Sequence, residues 1–327
     1  MKRAVKKIVA AMLLLLVVNS TGCGRQPNAA DTTEAIGKED PISIVTTIFP
    51  PYDFAKEIGG NKVEVTMLLS PGVESHSYEP TPQDIIKINE SDLFIYVGGE
   101  SDAWVEGITD SLDKSVRTLT LMDCVEVVEE EHVEGMQAEA ENAETGTEAE
   151  EPEYDEHVWT SPRNAELIVQ KIAEELCVID TSNATSYTEN GKQYNNKLEK
   201  LDKEYQEAVA HAARKELIFG DRFPFRYFVD AYGLTYYAAF PGCSSETEPS
   251  AATIAFLIDK VKQDNIPVIL YLELSNHKIA DAIAEATGVQ TAMLHSCHNI
   301  SKDEVEQGAT YLSLMQQNLE VLKGALQ

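Results

Sequence analysis

Short apolar, β-branched runs alternate along the chain with longer stretches in which apolar residues recur every three or four positions. Seven runs predict β-strands: ISIVTTIF, which ends at Phe49, VEVTMLL (63–69), LFIYV (93–97), ELIF (216–219), TYYAAF (235–240), VILYL (268–272) and TAML (291–294). Strands that alternate with helical patterns are typical of βαβ units. The pattern therefore predicts an α/β fold with mostly parallel sheets.

One long helix is predicted between two groups of strands, from about Thr185 to Arg214. Its apolar positions recur mainly at steps of three, four and seven, and charged residues occupy the other face. These apolar positions are Tyr187, Tyr194, Leu198, Leu201, Tyr205 and Val209. We expect a rigid connector helix (185–214) between an N-terminal lobe (42–184) and a C-terminal lobe (215–327).

Most of the predicted strands end beside a residue that can bind a ligand. VEVTMLL leads to His76, ELIF to Asp221, VILYL to Glu273 and TAML to His295. In parallel α/β sheets, ligands bind beyond the carboxyl ends of the strands. We therefore expect these side chains to converge in the cleft between the lobes.

The first 22 residues predict an export signal rather than a folded element. Basic residues precede an apolar run over 8–18, which is too short to span a bilayer comfortably. The sequence STGC resembles a bacterial lipobox, so we expect lipid on Cys23, a flexible tether over 23–41 and attachment to the extracytoplasmic face of the cell membrane. A plain signal peptide cleaved nearby is the alternative, because Ser20 stands where that motif usually has Leu.

Acidic residues dominate the charge and are unevenly distributed. The chain has 26 Lys and Arg against 55 Asp and Glu, a formal net charge of −29, and 14 of the acids fall within residues 126–156. Nucleic acid is excluded as a partner, because phosphate binding needs a basic face. We expect this segment to be a floppy insertion in the first lobe. It is either a mobile gate that collects cations or an insertion with no such role.

Four of the seven histidines occur in predicted loops: His76, His157, His295 and His298. The other three, His132, His211 and His277, are expected to be solvated, to cap a helix or to offer at most a weak metal contact. Neutral imidazole is a good ligand for Zn²⁺, whereas carboxylates in the same shell favour Mn²⁺. The loop histidines therefore predict a transition-metal site.

Five stretches carry a resemblance to a known family: SPGVESHSYEPTPQDI, LFIYVGGESDAWVE, EHVWTSPRNAELI, FRYFVDAYGL and YLSLMQQNLEVL. From about residue 43 to the C-terminus, the chain resembles the zinc- and manganese-binding solute-binding lipoproteins of bacterial ABC uptake transporters. The resemblance implies two lobes with a metal held between them. It also implies a monomeric carrier whose partners are an ABC permease and its ATPase.

The resemblance places the first two metal ligands at His76 and His157. The third family position precedes a Phe-x-Tyr-Phe pattern by three residues and falls on Arg222, which cannot bind a metal. Asp221 substitutes for that ligand, or the position has lost it and Arg222 pairs with an acid such as Glu246 or Glu248.

The fourth family ligand, usually Asp, matches His295, and His298 and Glu273 are alternatives nearby. The predicted metal site is His76, His157 and His295, completed by Asp221, Glu273, His298 or water. Three histidines favour Zn²⁺ over Mn²⁺.

The predicted function is capture of Zn²⁺ outside the membrane and its delivery to the permease. A Mn²⁺ or Fe²⁺ carrier, with both Asp221 and Glu273 bound, is the main alternative, and a surface adhesin lipoprotein is another. An enzyme is not expected, because the chain has no HExxH or GxSxG motif. Cys243 and Cys297 both fall in predicted loops, so either a disulfide or two free thiols is consistent with the sequence.

Overall fold

The computed structural model describes residues 40–74, 78–109, 111–137, 153–242, 244 and 248–327. These ranges belong to one compact unit, Ile36–Gln327. The predicted export signal, Cys23 and His76 lie outside the described residues. Within the described ranges, none of the helices combines the length and the apolar character needed to cross a bilayer.

The first lobe is built on a parallel sheet with the strand order β2-β1-β3-β4. Its strands are β1 (Ile42–Thr46), β2 (Val63–Met67), β3 (Leu93–Tyr96) and β4 (Arg117–Thr120), and its helices are α1 (Phe49–Gly59), α2 (Pro82–Asn89) and α3 (Glu106–Thr109). The sequence did not predict β4. It is a four-residue edge strand with two exposed positions, so it lacks the continuous apolar run of a central strand.

The second lobe repeats this arrangement with the parallel order β6-β5-β7-β8. Its strands are β5 (Glu216–Phe223), β6 (Thr235–Pro241), β7 (Val268–Tyr271) and β8 (Gln290–Met293), and its helices are α6 (Arg226–Tyr232), α7 (Ala251–Gln263), α8 (Lys278–Thr287), α9 (Lys302–Glu306) and α10 (Tyr311–Ala325). The predicted α/β fold with two parallel-sheet lobes is confirmed.

Two helices, α4 (Pro162–Ile179) and α5 (Ala184–Ala210), link the sheets. The predicted apolar stripe of α5 is buried along its whole length. The helix ends four residues before the predicted Arg214. The chain turns there, and the backbone N–H groups of Ala213 and Arg214 donate to the carbonyl of Leu326 at 3.1 and 3.3 Å.

A buried carboxylate joins α1 to the connector and to the last helix. Oδ2 of Asp53 accepts the backbone N–H of Tyr311 at 2.9 Å and the hydroxyl of Tyr194 at 3.3 Å. Burial raises the pKa of Asp53 to about 6. The charge of Asp53 therefore affects a contact that joins α1, α5 and α10.

The first part of the acidic segment is packed rather than floppy, which corrects our expectation. The backbone N–H of Glu130 donates to the carbonyl of Glu153 at 2.9 Å, and the backbone N–H of Gln137 donates to the carbonyl of Ala239 in β6 at 3.0 Å. Tyr236 donates its hydroxyl to the carbonyl of Glu131 at 3.4 Å. Residues 126–137 thus lie against the second lobe, and 138–152 lie outside the described residues.

Cys297 is a buried free thiol. The structure thus has the free-thiol alternative at Cys297, and Cys243 lies outside the described residues. Its backbone has a φ of 61°, so it turns tightly between two of the candidate histidines.

Candidate metal centre

A small cavity of about 30 Å³ receives side chains from both lobes. Its lining includes Glu74 from the loop after β2, His157 from the loop before α4, and Arg222 at the end of β5. The loops after β7 and β8 contribute Glu273 and His298. The carboxyl ends of strands in the two sheets therefore supply most of this cavity, as expected for parallel α/β folds.

His157 lies immediately before the short 3₁₀ turn Val158–Thr160 that leads into α4. Its side chain is fully buried. Oδ1 of Asp155 accepts the backbone N–H of His157 at 2.8 Å and lies 3.2 Å from Nδ1 of the ring. With the Nδ1 proton directed at this carboxylate, Nε2 carries the lone pair that a metal ion would use.

The surroundings of His157 shift its protonation in two opposing ways. Burial lowers the pKa of the ring, but the carboxylates of Asp155, Glu156 and Glu130 outweigh it, so the pKa is raised above its usual value. Protons therefore compete with a metal ion for this imidazole over a wider pH range than they would for an exposed histidine.

Gly242 allows β6 to end against the ring of His157. A Cβ at this position would lie 3.1 Å from Cε1 of His157 and 3.0 Å from the carbonyl oxygen of Phe223. The N–H of Gly242 donates to Oε1 of Glu130 at 2.9 Å. Glu130 of the acidic segment thus fixes the backbone of Gly242, which packs against the ring of His157.

Trp159 joins the two histidines of the cavity. Its buried ring has its centroid 5.5 Å from that of His157 and 4.9 Å from that of His298. The indole N–H donates to the carbonyl of Ser296 at 2.8 Å. This contact fixes the loop after β8 against the start of α4.

Glu273 and His298 are oriented by the same serine. Glu273 accepts the backbone N–H of Ser296 at 2.9 Å and its hydroxyl at 2.6 Å, and the N–H of His298 donates to that hydroxyl oxygen at 3.1 Å. The His298 ring has its centroid 5.5 Å from that of His157. The imidazoles of His157 and His298 and the carboxylate of Glu273 therefore meet at the cavity.

His295 lies beside the cavity and is bound in a different network. Nδ1 accepts the backbone N–H of Cys297 at 2.9 Å, so the ring proton is on Nε2, which lies 3.3 Å from Oε1 of Glu304. The hydrogen bond from His295 is the main reason why the pKa of Glu304 is lowered to about 2. Nδ1 of the predicted ligand His295 thus has a hydrogen-bond partner, and Nε2 faces the carboxylate of Glu304.

Asp221 lies within β5, although the sequence predicted a loop, because β5 extends to Phe223 through an irregular register after Phe219. Its Oδ1 accepts the N–H of Arg222 at 2.9 Å, and its Oδ2 accepts the N–H of Leu272 at 3.1 Å. The carboxylate ties β5 to the end of β7 and does not line the cavity.

Arg222 pairs with Glu74 of the first lobe, Nη2 to Oε2 at 3.0 Å. The sequence had suggested Glu246 or Glu248 as its partner. Glu246 lies outside the described residues. Sequence reasoning missed Glu74, and the signal that could have found it is its position two residues before His76 in the same loop.

Within the described ranges, no three His, Cys, Asp or Glu side chains are arranged to hold one metal ion. Outside the cavity, His132 and His211 are exposed, and His277 pairs with Asp281 at 2.8 Å.

Two known proteins to which this chain is similar are named for zinc uptake and zinc binding. The high-affinity zinc uptake system protein ZnuA of Bacillus subtilis is 34% identical over 323 residues, covering 98% of this chain and 96% of that protein. The zinc-binding lipoprotein AdcA of Streptococcus pneumoniae is 30% identical over 319 residues, but the chain spans only 60% of its length.

Solved structures share the fold. The Zn(II)-bound ZnuA-like domain of Streptococcus pneumoniae AdcA is 29% identical, with a TM-score of 0.72, and 88% of this chain and 99% of that domain are covered. The laminin binding protein Lmb of Streptococcus agalactiae is described as a bifunctional protein with adhesin and metal transporting activity. It is 28% identical, with a TM-score of 0.73 over 88% of this chain and 100% of Lmb.

The sequence of residues 44–325 matches the family described as "Zinc-uptake complex component A periplasmic". This match covers most of the chain and confirms the predicted resemblance. The chain belongs to this family of periplasmic zinc-uptake components.

Proposed function

We propose that this protein captures Zn²⁺ outside the cytoplasmic membrane and delivers it to an ABC permease powered by an ATPase. The observation that carries the proposal is the meeting of His157 and His298 in one cavity, with ring centroids 5.5 Å apart. Two neutral imidazoles at a small site suit Zn²⁺ well. The family to which the chain belongs supports the same cargo.

The proposed ligands are His157, His298 and Glu273, together with His76 from outside the described residues. Asp155 and Ser296 orient two of these groups by hydrogen bonds. His295 and Asp221, which the sequence also suggested, do not line the cavity, and backbone amides donate to Nδ1 of His295 and to both oxygens of Asp221. Three imidazoles in the shell favour Zn²⁺, whereas a Mn²⁺ or Fe²⁺ carrier would need a shell made mostly of oxygen ligands.

Residues 1–22 are proposed to direct export, and lipid on Cys23 is proposed to hold a monomeric carrier at the outer face of the membrane. The name of the AdcA relative, a zinc-binding lipoprotein, supports this location. A bound ion would then be passed on unchanged, so the protein acts as a carrier and not as an enzyme.

The proposal is tested by growth of the source bacterium under chelation. A strain lacking this chain should grow slowly in a zinc chelator and recover when Zn²⁺ is added. The parent chain should restore growth without added Zn²⁺, and the His157→Ala variant should not, although it reaches the membrane in equal amount. Equal growth of the deletion strain and the parent strain at every chelator concentration contradicts zinc uptake, provided that no second zinc importer is present.

Adhesion is a second candidate, because the name of the matched Lmb combines laminin binding with metal transport. An adhesive surface does not need the buried histidines. The His157→Ala variant should therefore keep any laminin binding while it loses zinc capture.

A further inference from the structure

An ion pair crosses the candidate metal cavity from one lobe to the other. Arg222 belongs to β5 of the second lobe, and Glu74 belongs to the loop after β2 of the first lobe. Nη2 of Arg222 lies 3.0 Å from Oε2 of Glu74, and both side chains line the cavity. The guanidinium thus joins two sides of the site.

The two carboxylates of the cavity differ in how firmly they are held. Glu273 is 5% exposed, and Ser296 donates to both of its oxygens. Glu74 is 40% exposed, and a side chain that remains partly in water keeps the freedom to turn. Its carboxylate can therefore exchange one cationic partner for another at little cost in desolvation.

A dication in this cavity would act on both members of the pair. It would attract Glu74 with twice the charge of the guanidinium and would repel Arg222. Carboxylate oxygen is also a good ligand for Zn²⁺ at about 2.0–2.2 Å. Both effects favour transfer of the carboxylate from arginine to metal.

We infer that Glu74 pairs with Arg222 until Zn²⁺ binds, and that the ion then displaces the guanidinium and takes this carboxylate as a ligand. The inference rests on the proposed function. Arg222 then lowers the affinity for Zn²⁺, because the ion must break the pair and tolerate a nearby positive charge. When the ion leaves, the guanidinium recovers Glu74, which favours release to the permease.

The test is competitive titration of purified protein, stripped of metal, with Zn²⁺ and a chromophoric chelator. Arg222→Gln should bind Zn²⁺ about three- to tenfold more tightly, because the competing charge is gone. Glu74→Gln should bind about tenfold more weakly, because a ligand is lost. Arg222→Lys, which keeps the charge, should stay within about threefold of the parent. In the Glu74→Gln background, Arg222→Gln should give a smaller gain, since no pair is left to break.

The matched control is the Arg117–Glu175 pair, which has an Nε–Oε2 distance of 2.6 Å and does not line the cavity. Arg117→Gln and Glu175→Gln should leave zinc affinity unchanged. Thermal unfolding of each variant shows that the fold is retained.

Unchanged or tighter zinc binding by Glu74→Gln would overturn the inference, since the carboxylate would then pair with Arg222 without binding the ion. Weaker binding by Arg222→Gln would also overturn it, because the arginine would then support the site. In both cases tight binding by the parent leaves the proposed function intact. Only a parent protein without tight zinc binding contradicts that function.

Discussion

Asp155 holds His157 at two points: its Oδ1 lies 2.8 Å from the backbone nitrogen and 3.2 Å from Nδ1 of the ring. The carbonyl of the same aspartate accepts the hydroxyl of Tyr227 from α6 of the second lobe at 2.7 Å. The orientation of the candidate ligand in front of α4 thus depends on packing against the other lobe. A carboxylate in this position fixes the tautomer of a metal-binding histidine and makes it a better ligand.

Asp155→Asn should weaken zinc binding by about 10- to 100-fold, because the ring loses its oriented and polarised Nδ1–H. It should also lower the pKa of His157, because the negative charge of Asp155 is one of the causes that raise it. The pH below which binding fails should therefore move down, even though affinity at high pH falls. Zinc titrations across pH check both effects: unchanged affinity at high pH would contradict the orienting role, and an unshifted pH profile would contradict the effect of the Asp155 charge on the pKa of His157. Glu126→Gln, an exposed charge in the same segment, is the control.

His298→Ala should mainly reduce zinc affinity, whereas His295→Ala should mainly reduce the free energy of unfolding. His298 lines the cavity, so its loss should reduce zinc affinity by more than about tenfold while the fold remains stable. His295 bonds to the Cys297 amide and faces Glu304, so its removal should cost about 1–3 kcal/mol of unfolding free energy by leaving buried groups unpaired. Zinc titration and chemical denaturation of both variants separate these effects. A larger loss of zinc affinity for His295→Ala would instead support His295 as the ligand.

Asp53→Asn should stabilise the protein at neutral pH. Burial raises the pKa of Asp53 from 3.8 to about 6, so the folded state binds a proton more tightly than the unfolded chain does. The contribution of this group to the free energy of unfolding therefore falls as pH rises from about 4 to 6, and the charged form is unfavourable above that. The variant should gain on the order of 1–3 kcal/mol at pH 7.5 and little at pH 4.5.

Urea denaturation of Asp53→Asn at the two pH values measures this difference. Asp259→Asn, at an exposed position of α7, should show no such pH dependence. An equal change in stability at both pH values would mean that Asp53 acts through its hydrogen bonds alone.

Deletion of residues 138–152 tests the collecting role of the acidic segment without disturbing its packed part. This stretch contains six glutamates and no Lys or Arg. If they raise the local concentration of cations, the deletion should slow zinc association a few-fold at low ionic strength and have no effect at about 1 M salt, where charges are screened beyond about 3 Å. Stopped-flow mixing with Zn²⁺ measures the rate, and an unchanged rate at low salt would exclude the role.

Much of the fold could be predicted from the sequence because periodicity reports which faces are buried. The stripe from Tyr187 to Val209 predicted α5. Edges and ends were harder to predict. Arg117–Thr120 is half exposed, so its pattern is weak, and α5 ends where contacts with Leu326, distant in sequence, replace helical hydrogen bonds.

The candidate site could be predicted only in part, because the sequence does not reveal how each polar group is paired. Glu273 and His298 line the cavity, and the loops that carry them were expected to do so. His295 and Asp221 occupy similar positions after or within strands, yet the amide of Cys297 in the same loop binds His295, and the amide of Leu272, distant in sequence, binds Asp221. Arg222 was recognised as unsuitable for metal binding, but its partner Glu74 is more than 140 residues away.

Zinc capture by the cavity is tested most directly by competition between Zn²⁺ and Mn²⁺ for the purified, metal-stripped protein. Binding is followed by calorimetry and by the fluorescence of Trp159, which packs against both cavity histidines. We expect one tight zinc site per chain, weaker Mn²⁺ binding, and loss of the tight site in both His157→Ala and His298→Ala. A preference for Mn²⁺, or tight zinc binding that survives both substitutions, would contradict zinc capture by the cavity.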